Sequence, residues 1–195
     1  LCEATNEIKN RSPEIFKSIT GVVVTTLRDT GVCMSKNGDV LRPAILWLDQ
    51  RMIENDEKIS FIHDIAFRTV GMRKAIELTR KRTKSNWVKL NEPEIWDKTY
   101  KYVQISGFFN FRLTGKFIDS IANQIGHIPF DYKHQRWSAS WDWKWQAVPI
   151  EKRILPDLVK PSEIIGHISN QASIDTGIPE GLPLIAAAAD KACEV

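Results

Sequence analysis

The sequence has few of the residues that build metal centres and disulfides. Its 195 residues include three cysteines, and Cys2, Cys33 and Cys193 are too far apart for a metal-binding pair. Because their number is odd, they cannot form a complete disulfide framework, and a reducing cytoplasm is the expected compartment. The histidines have no second histidine or cysteine at ligand spacing; they are His63, His127, His134 and His167. We therefore predict no metal site in this chain.

Long apolar runs and phosphate-binding loops are also missing. No stretch approaches the roughly 20 apolar residues that cross a bilayer, so no membrane partner is expected. The loop G-x-x-x-x-G-K-[ST] is absent, and no Ser/His/Asp arrangement stands out. Basic residues exceed acidic ones by 27 − 24 = 3, which is too small an excess to indicate nucleic acid. The apolar fraction of 43% nevertheless predicts a folded core.

Predicted strands and helices alternate along the chain. β-branched residues predict a strand over 19–27, and a second strand over 31–35 leads into an Asn-Gly hairpin turn at 36–39. Short apolar runs at 44–48 and 182–189 are typical of buried strands. Helices are predicted over 3–17, 50–67 and 85–90, from Pro93 onward, and over 106–113. The alternation indicates a mixed α/β sheet flanked by helices.

Polar and aromatic side chains follow two of these predicted strands. Arg28 and Asp29 come directly after the first strand. Trp47, Asp49 and Arg51 come at the end of the third. Ligands of open α/β sheets lie outside the carboxyl ends of strands, and an aromatic face, a carboxylate and a guanidinium suit a small polyhydroxylated ligand. The alternative is a core tryptophan beside surface ion pairs and turns.

Asp190 follows eight apolar or small residues and so stands at the end of the last predicted strand. A partly shielded carboxylate there can take the proton of a substrate hydroxyl as that oxygen attacks. Together with the polar residues of the other strand ends it could form one pocket with an aromatic wall. Alternatively, Asp190 only caps a helix that begins at Lys191. Spacing by itself favours the capping role, and one residue can do both.

A basic segment spans residues 68–84, and a group of four tryptophans spans 137–145. The segment has seven basic residues against one acidic residue, Glu77, so nucleic-acid binding is one interpretation. No glycine-rich or stacking-aromatic pattern accompanies the charge, so a solvated helix and loop is favoured and no nucleic-acid partner is expected. The tryptophans could stack on sugars, but their spacing does not fit one face, which favours core or partner packing.

Motifs through nearly the whole chain resemble, in their order, those of the FGGY carbohydrate kinases, which include xylulokinase, gluconokinase and glycerol kinase. Arg28-Asp29 resembles the Arg-Glu pair of glycerol kinases, and residues 47–51 closely resemble the family's Trp-x-Asp-x-Arg segment. Further resemblances are Trp87 with Asn91-Glu92-Pro93-Glu94, the Leu-Thr-Gly at 113–115, and the run from Gly181 to Asp190. No single motif is decisive, but together and in order they are strong.

The resemblance implies a fold and a reaction. The fold is the actin-like, ribonuclease H-like ATPase fold, with a sugar-binding first domain and a second domain that binds most of the nucleotide. The reaction moves the γ-phosphoryl group of ATP, with Mg²⁺, to a sugar or polyol hydroxyl, a pentulose such as xylulose being favoured. Asp190 would be the general base. Trp47 would form an aromatic wall, Arg28 and Asp29 would hold sugar hydroxyls, and Asp49 and Arg51 would shape the same site. Many relatives are dimers, which implies a homodimer here.

The sequence departs from the family pattern in three ways. The phosphate motif Asp-x-Gly-Thr-x-Ser and the nucleotide domain are absent, so residues 1–195 are expected to be a partial N-terminal domain. Its ATP and Mg²⁺ would be bound mostly by other parts of the protein, and the fragment alone would be inactive. Alanines at 186–189 replace a glycine-containing run, and their Cβ atoms could narrow the approach to the phosphate. Thr79 stands where glycerol kinases carry a substrate tyrosine. A non-catalytic carbohydrate-binding or regulatory relic is the alternative function.

Overall fold

The computed structural model of the chain describes residues 1–54, 58–124 and 129–190. The helices are α1 (Cys2–Arg11), α2 (Pro13–Lys17), α3 (Phe61–Thr69), α4 (Arg73–Arg82), α5 (Lys84–Asn91), α6 (Pro93–Lys98), α7 (Ile105–Thr114), α8 (Lys144–Ala147) and α9 (Asn170–Thr176). The strands are β1 (Val22–Val23), β2 (Gly31–Met34), β3 (Lys101–Gln104), β4 (Ile118–Ser120), β5 (Phe130–Asp131), β6 (Arg136–Trp137), β7 (Asp157–Val159), β8 (Ile164–His167) and β9 (Pro183–Ile185). Short 3₁₀ helices span Ile121–Asn123 and Lys152–Ile154. Within the described ranges, no helix has the length and apolarity that a membrane crossing requires.

The chain forms two compact units. The first comprises Leu1–Leu27, Ile105–Asn123 and Pro156–Val195, and the second comprises Arg28–Gln104 and Gln124–Leu155. Each has its own buried apolar cluster, as an independently packed unit requires. The cluster of the first unit contains Leu113, Ile165, Ile168, Ala172, Ile178, Leu184 and Ala186. The main cluster of the second contains Cys33, Ile45, Val88, Trp96, Tyr102, Val148, Ile150, Ile154 and Leu155.

The first unit is built on a three-stranded sheet with the order β1-β9-β8. β1 runs parallel to β9, with Val22 opposite Leu184, whereas β8 is antiparallel to β9. A separate parallel pair joins β4 to β7. The combination of parallel and antiparallel strands with flanking helices confirms the predicted mixed α/β architecture.

A fully buried carboxylate ties α7 to β4 in this unit. Asp119 is 0% exposed and accepts hydrogen bonds from Ser106 Oγ at 2.7 Å and from Asn110 Nδ2 at 3.2 Å. It also accepts from Asn123 Nδ2 at 2.9 Å and from the Ser120 amide at 2.7 Å. A buried carboxylate is tolerated only when donors replace its lost water, so this network fixes the start of the 3₁₀ helix that follows β4.

The second unit combines an antiparallel strand pair with a run of helices. β2 pairs with β3 from Gly31 opposite Gln104 to Met34 opposite Lys101. The predicted turn follows β2, where Gly38 has a φ of +89° and the Ser35 amide donates to the Asp39 carbonyl. α4, α5 and α6 follow one another with a single residue at each join. Pro93 occupies a first-turn position of α6, where its missing N–H costs nothing. The predictions for the hairpin turn and for the helix that restarts at Pro93 are confirmed.

Three predicted strands are shorter than expected or absent. The run 19–27 contributes only the two residues of β1, and the run 182–189 only the three of β9, because each pairs only as far as its partner continues. In the run 44–48, Ile45 alone forms a bridge, opposite Gly31. A turn then begins, with the Asp49 amide donating to the Leu46 carbonyl at 3.0 Å. An apolar run predicts burial, but it does not guarantee a pairing partner.

The helix predicted over 50–67 begins later, at Phe61. Ile53 is buried at 4% exposure, and its amide donates to the Lys81 carbonyl at the end of α4, so this stretch is held by another helix instead of forming its own. Ser60 precedes the helix, and its Oγ lies 2.7 Å from His63 Nδ1. Residues 55–57 lie outside the described ranges, as do His127 and Lys191 of the sequence predictions.

The basic segment 68–84 is less solvated than predicted. Arg80 is 3% exposed and donates from Nη1 to the Gln146 carbonyl at 2.7 Å, and Lys84 is 6% exposed. Arg73 bonds the carboxylates of Asp64 and Glu77. The prediction of a wholly solvated face is therefore wrong for Arg80 and Lys84, because both cations have internal partners that compensate burial.

The four tryptophans divide by environment. Trp137 and Trp145 pack against the main core of the second unit, as predicted. Trp141 is 83% exposed, and Trp143 is 42% exposed with its ring edge-on to Phe67. Core packing is thus confirmed for two of the four, and their irregular spacing reflects a segment that has no single face.

Gly31 should not tolerate a side chain. A Cβ built at Gly31 would lie 1.9 Å from the Tyr102 hydroxyl oxygen and 2.3 Å from the ring carbon that bears it. We expect Gly31→Ala to destabilise the protein by about 1–3 kcal/mol, the typical cost of overpacking. Thermal or urea denaturation measures this loss. The double variant with Tyr102→Leu should lose less than the sum of the two single changes, and strict additivity would contradict the assigned contact.

Candidate functional site

The predicted site residues fall on both units. Asp190 belongs to the first unit, and the other five belong to the second. Those five occupy two irregular segments outside the named strands: residues 28–29 precede β2, and residues 47–51 follow the bridge at Ile45. Irregular segments need side-chain contacts to hold a defined shape, since no strand pairing fixes them.

Asp49 and Arg51 form a two-pronged ion pair. Arg51 donates from Nε to Asp49 Oδ1 at 2.9 Å, and its Nη2 lies 2.8 Å from Oδ2. The Arg51 amide also donates to Oδ1 at 2.9 Å. The side-chain hydrogen bond from Arg51 holds the pKa of the Asp49 carboxyl below its ordinary value. Asp49 is therefore an ionised acceptor with a fixed orientation, as the shaping of a binding site requires.

The Arg51 guanidinium lies over a second predicted motif, the aromatic ring of Trp87. Its central carbon is 4.3 Å from the centroid of the Trp87 ring, and the corresponding carbon of Arg42 is 5.9 Å from it. Arg42 in turn bonds Glu92 through Nε at 2.6 Å. Such stacking favours planar guanidinium groups and restricts their rotation. By stacking against the Arg51 guanidinium, the Trp87 ring helps to orient the Asp49–Arg51 pair.

Asp29 is held by a lysine that sequence reasoning did not single out. Lys84 Nζ lies 2.5 Å from Asp29 Oδ2; the lysine side chain is 6% exposed and that of the aspartate 34%. Asp29 has a φ of +56°, a left-handed conformation that aspartate tolerates better than most residues. Its carboxylate is therefore bonded on one oxygen and still accessible, and it can accept a further hydrogen bond from a ligand hydroxyl.

Trp47 and Arg28 are not joined to these pairs by any described contact. Trp47 lies in the turn after Ile45 and is 53% exposed, so its face is available but unsupported. Arg28 is partly exposed, and within the described ranges no ion pair is found for it. The structure thus brings Asp49 and Arg51 together, provides Asp29 with a partner, and leaves Trp47 and Arg28 at the surface of the second unit.

Asp190 lies past the end of β9. Its amide donates to the Thr26 carbonyl at 3.0 Å, and Thr26 follows β1, the parallel neighbour of β9. Asp190 therefore lies beyond the carboxyl ends of two adjacent parallel strands, and not directly at the end of a strand as predicted, because β9 stops at Ile185. Ala186 and Ala189 are buried, so two methyl groups of the alanine run are used in packing. The capping alternative involves Lys191, outside the described residues.

Sequence reasoning missed the contacts of Lys84 and Glu92 and the role of Trp87. Lys84 and Trp87 are three positions apart on α5, a spacing that places both on one helix face. That spacing is visible in the sequence. The partners are not, because Asp29 is 55 residues from Lys84 and Glu92 is 50 residues from Arg42.

A separate pocket of about 340 Å³ lies within the second unit. Its walls come from α4, β5 and the α8 region, and they include Met72, Ile76, Thr79, Phe130, Tyr132 and Trp143. None of the five predicted residues of this unit lines it. Thr79, at the position of the tyrosine expected in glycerol kinases, does, although its hydroxyl already donates to the Ala75 carbonyl.

The side chains that could ligate a metal ion are dispersed in the part of the chain that the structure describes. Within residues 1–54, 58–124 and 129–190, no three histidine, cysteine, aspartate or glutamate side chains come together in a group that could hold an ion. Asp29 and Asp49 are each engaged by a cation, which competes with metal coordination. These described residues do not form a site for Mg²⁺.

Similarity to known proteins shows the family to which the chain belongs. The architecture is that of the actin-like ATPase fold found in sugar kinases: the xylulose kinase of Rhodospirillum rubrum superposes with a TM-score of 0.74 at 21% identity, covering 97% of this chain and 39% of that chain. The model of the FGGY family of carbohydrate kinases, N-terminal domain, matches residues 1–195. The chain belongs to the FGGY family of carbohydrate kinases.

Two relatives in Escherichia coli K12 illustrate the match. The uncharacterized sugar kinase YgcE is 27% identical over 199 residues, covering 100% of this chain and 32% of its own length. L-fuculokinase is 31% identical over 176 residues, covering 88% of this chain and 36% of its own. The chain therefore spans about a third of the length of these relatives.

The Asp49–Arg51 pair has a signature in its titration. Because the folded pKa of Asp49 is lowered, the pair stabilises the protein above the unfolded pKa of about 3.9, and this contribution is lost as pH falls through the lowered folded pKa. We expect Arg51→Met to raise the Asp49 pKa toward its ordinary value, measured by carboxyl-carbon NMR. Asp131, whose pKa is lowered by His134, is the internal control and should not move. An Asp49 pKa unchanged by the substitution would contradict the assignment.

Proposed function

We propose that the full-length protein transfers the γ-phosphoryl group of ATP to a hydroxyl of a sugar or polyol, and that this chain is the greater part of its sugar-binding domain. The observation that carries the proposal is the arrangement of oriented, partly exposed carboxylates on the second unit of a chain that belongs to a carbohydrate kinase family. Carboxylates held in place by cationic side chains are acceptors for sugar hydroxyls.

Each predicted residue has a role in this proposal. Asp190 is the general base, taking the proton of the attacking hydroxyl, and its position beyond the carboxyl ends of two parallel strands supports this role. Asp29 and Arg28 hold hydroxyls, and Asp49 with Arg51 shapes the same site. Trp47, half exposed, supplies a face for the C–H side of the sugar.

In this proposal, ATP and Mg²⁺ are bound mostly by parts of the protein other than this chain. This chain's residues would bind and orient the sugar and accept its proton. Phosphoryl transfer needs little covalent chemistry from the protein, so positioning by Asp29 and Asp49 is a substantial part of what the chain contributes. The homodimer and the cytoplasmic location stay predictions.

The class of sugar is suggested by the names of the relatives, which include L-fuculokinase and xylulose kinase. We therefore favour a ketose, with xylulose-like pentuloses first. The alternative is a carbohydrate-binding or regulatory role without catalysis. The alanines before Asp190 favour it, because two of them are buried and the run lacks the glycines that let a phosphate approach a backbone.

The proposal is tested by ADP release from ATP and Mg²⁺ with the full-length protein and a panel of ketoses, aldonates and polyols. We expect a sugar-dependent signal, and we expect Asp190→Asn to lower kcat about 10²–10⁴-fold, the usual contribution of a positioned base. Asp175→Asn is the matched control: it makes the same change on the same unit, at a helix residue bonded to Gln171, and should leave kcat unchanged.

Two outcomes would contradict the proposal. Full activity in Asp190→Asn would remove the assigned base. Absence of ADP release with every sugar, in a protein that calorimetry shows to be folded and to bind a sugar, would favour the non-catalytic role.

A further inference from the structure

Two irregular segments present the candidate sugar ligands of the second unit, and both depend on contacts made outside themselves. Residues 28–29 lie before β2, with Asp29 in a left-handed conformation. Residues 46–52 are anchored at one end by the bridge of Ile45 and at the other by the bond from the Ile53 amide to the Lys81 carbonyl. Between those anchors, one backbone bond, from the Asp49 amide to the Leu46 carbonyl, and the side-chain contacts of Asp49 and Arg51 set the position of the Asp49 carboxylate.

Both segments are held by one face of α5. Lys84 begins the helix and bonds Asp29, and Trp87, one turn later, lies under the guanidinium of Arg51. Lys84 also acts on the second segment, since its positive charge contributes to lowering the pKa of Asp49. One lysine is thus electrostatically coupled to a carboxylate in each segment.

The burial of the two partners is unequal. The Lys84 side chain is 6% exposed, and that of Asp29 is 34% exposed. A buried ammonium needs its carboxylate, whereas a partly exposed carboxylate can be solvated without its ammonium. Burial therefore fixes Lys84 on α5, and Lys84 in turn fixes the more exposed carboxylate of Asp29.

We infer that Lys84 is a positioning residue for sugar binding, which acts through Asp29 and not by touching the substrate. By occupying Oδ2, its ammonium selects one orientation of the Asp29 carboxylate and leaves the other oxygen for a hydroxyl. The inference rests on the proposed function, since it names what sets the geometry of that same site.

The test compares substitutions on α5 in the full-length protein. Lys84→Met keeps the length and apolar stem and removes the charge. We expect the KM for the sugar to rise about tenfold, since a charge-assisted hydrogen bond no longer orders the acceptor, with kcat changed much less. Lys84→Arg restores a cation and should recover part of the KM. Lys89→Met makes the same change on the same helix, at a lysine 3.5 Å from Glu151, and should leave KM unchanged.

A double variant separates positioning from independent effects. If Lys84 acts through Asp29, Lys84→Met added to Asp29→Asn should raise KM no further than Asp29→Asn does alone. A KM that multiplies in the double variant, or that is unchanged in a folded Lys84→Met protein, would overturn the inference. Failure of the proposed function would give a different result: the unsubstituted protein would show no ADP release with any sugar, which would overturn the inference as well.

Discussion

The ion pair between Lys84 and Asp29 is the constraint on which the rest of the candidate site depends. The Lys84 side chain at the start of α5 is 6% exposed, so its ammonium has little access to water. A carboxylate must come to it, and Asp29 does so by adopting a backbone conformation that few residues tolerate. The position of residues 28–29 follows from this requirement.

The same helix explains why a site can be precise on irregular segments. α5 is fixed by its own packing, with Val88 in the main core and the Thr83 hydroxyl bonded to the Thr79 carbonyl at the join with α4. Trp87 extends that rigidity outward, since a guanidinium stacked on its ring can form only a limited set of ion pairs. The loops supply the chemical groups, and the helix supplies their geometry.

Local features of the fold were predictable from the sequence, and the site's long-range contacts were not. Gly38 in the hairpin turn, Pro93 at the start of α6 and Gly115 after α7, with a φ of +73°, each follow from a single residue's conformational preference. The strand predicted over 44–48 and the early start of the helix predicted over 50–67 were wrong, because Ile45 pairs only with Gly31 and Ile53 bonds Lys81. The ordered motifs predicted the family, which is confirmed, while the roles of the acidic and basic site residues stay predictions. The motifs did not reveal that Lys84 would be buried against Asp29, since no local pattern encodes a pairing across 55 residues.

We propose that sugar binds where α5 positions the segments around Asp29 and Asp49. Hydrogen–deuterium exchange of the full-length protein, with and without a sugar that supports ADP release, tests this location most directly. We expect increased protection in peptides covering residues 27–30, 46–52 and 84–88, because a bound sugar would restrict the opening of both segments. Protection confined to peptides that line the separate pocket, around Thr79 and Tyr132, with none at Asp29 or Asp49, would contradict it.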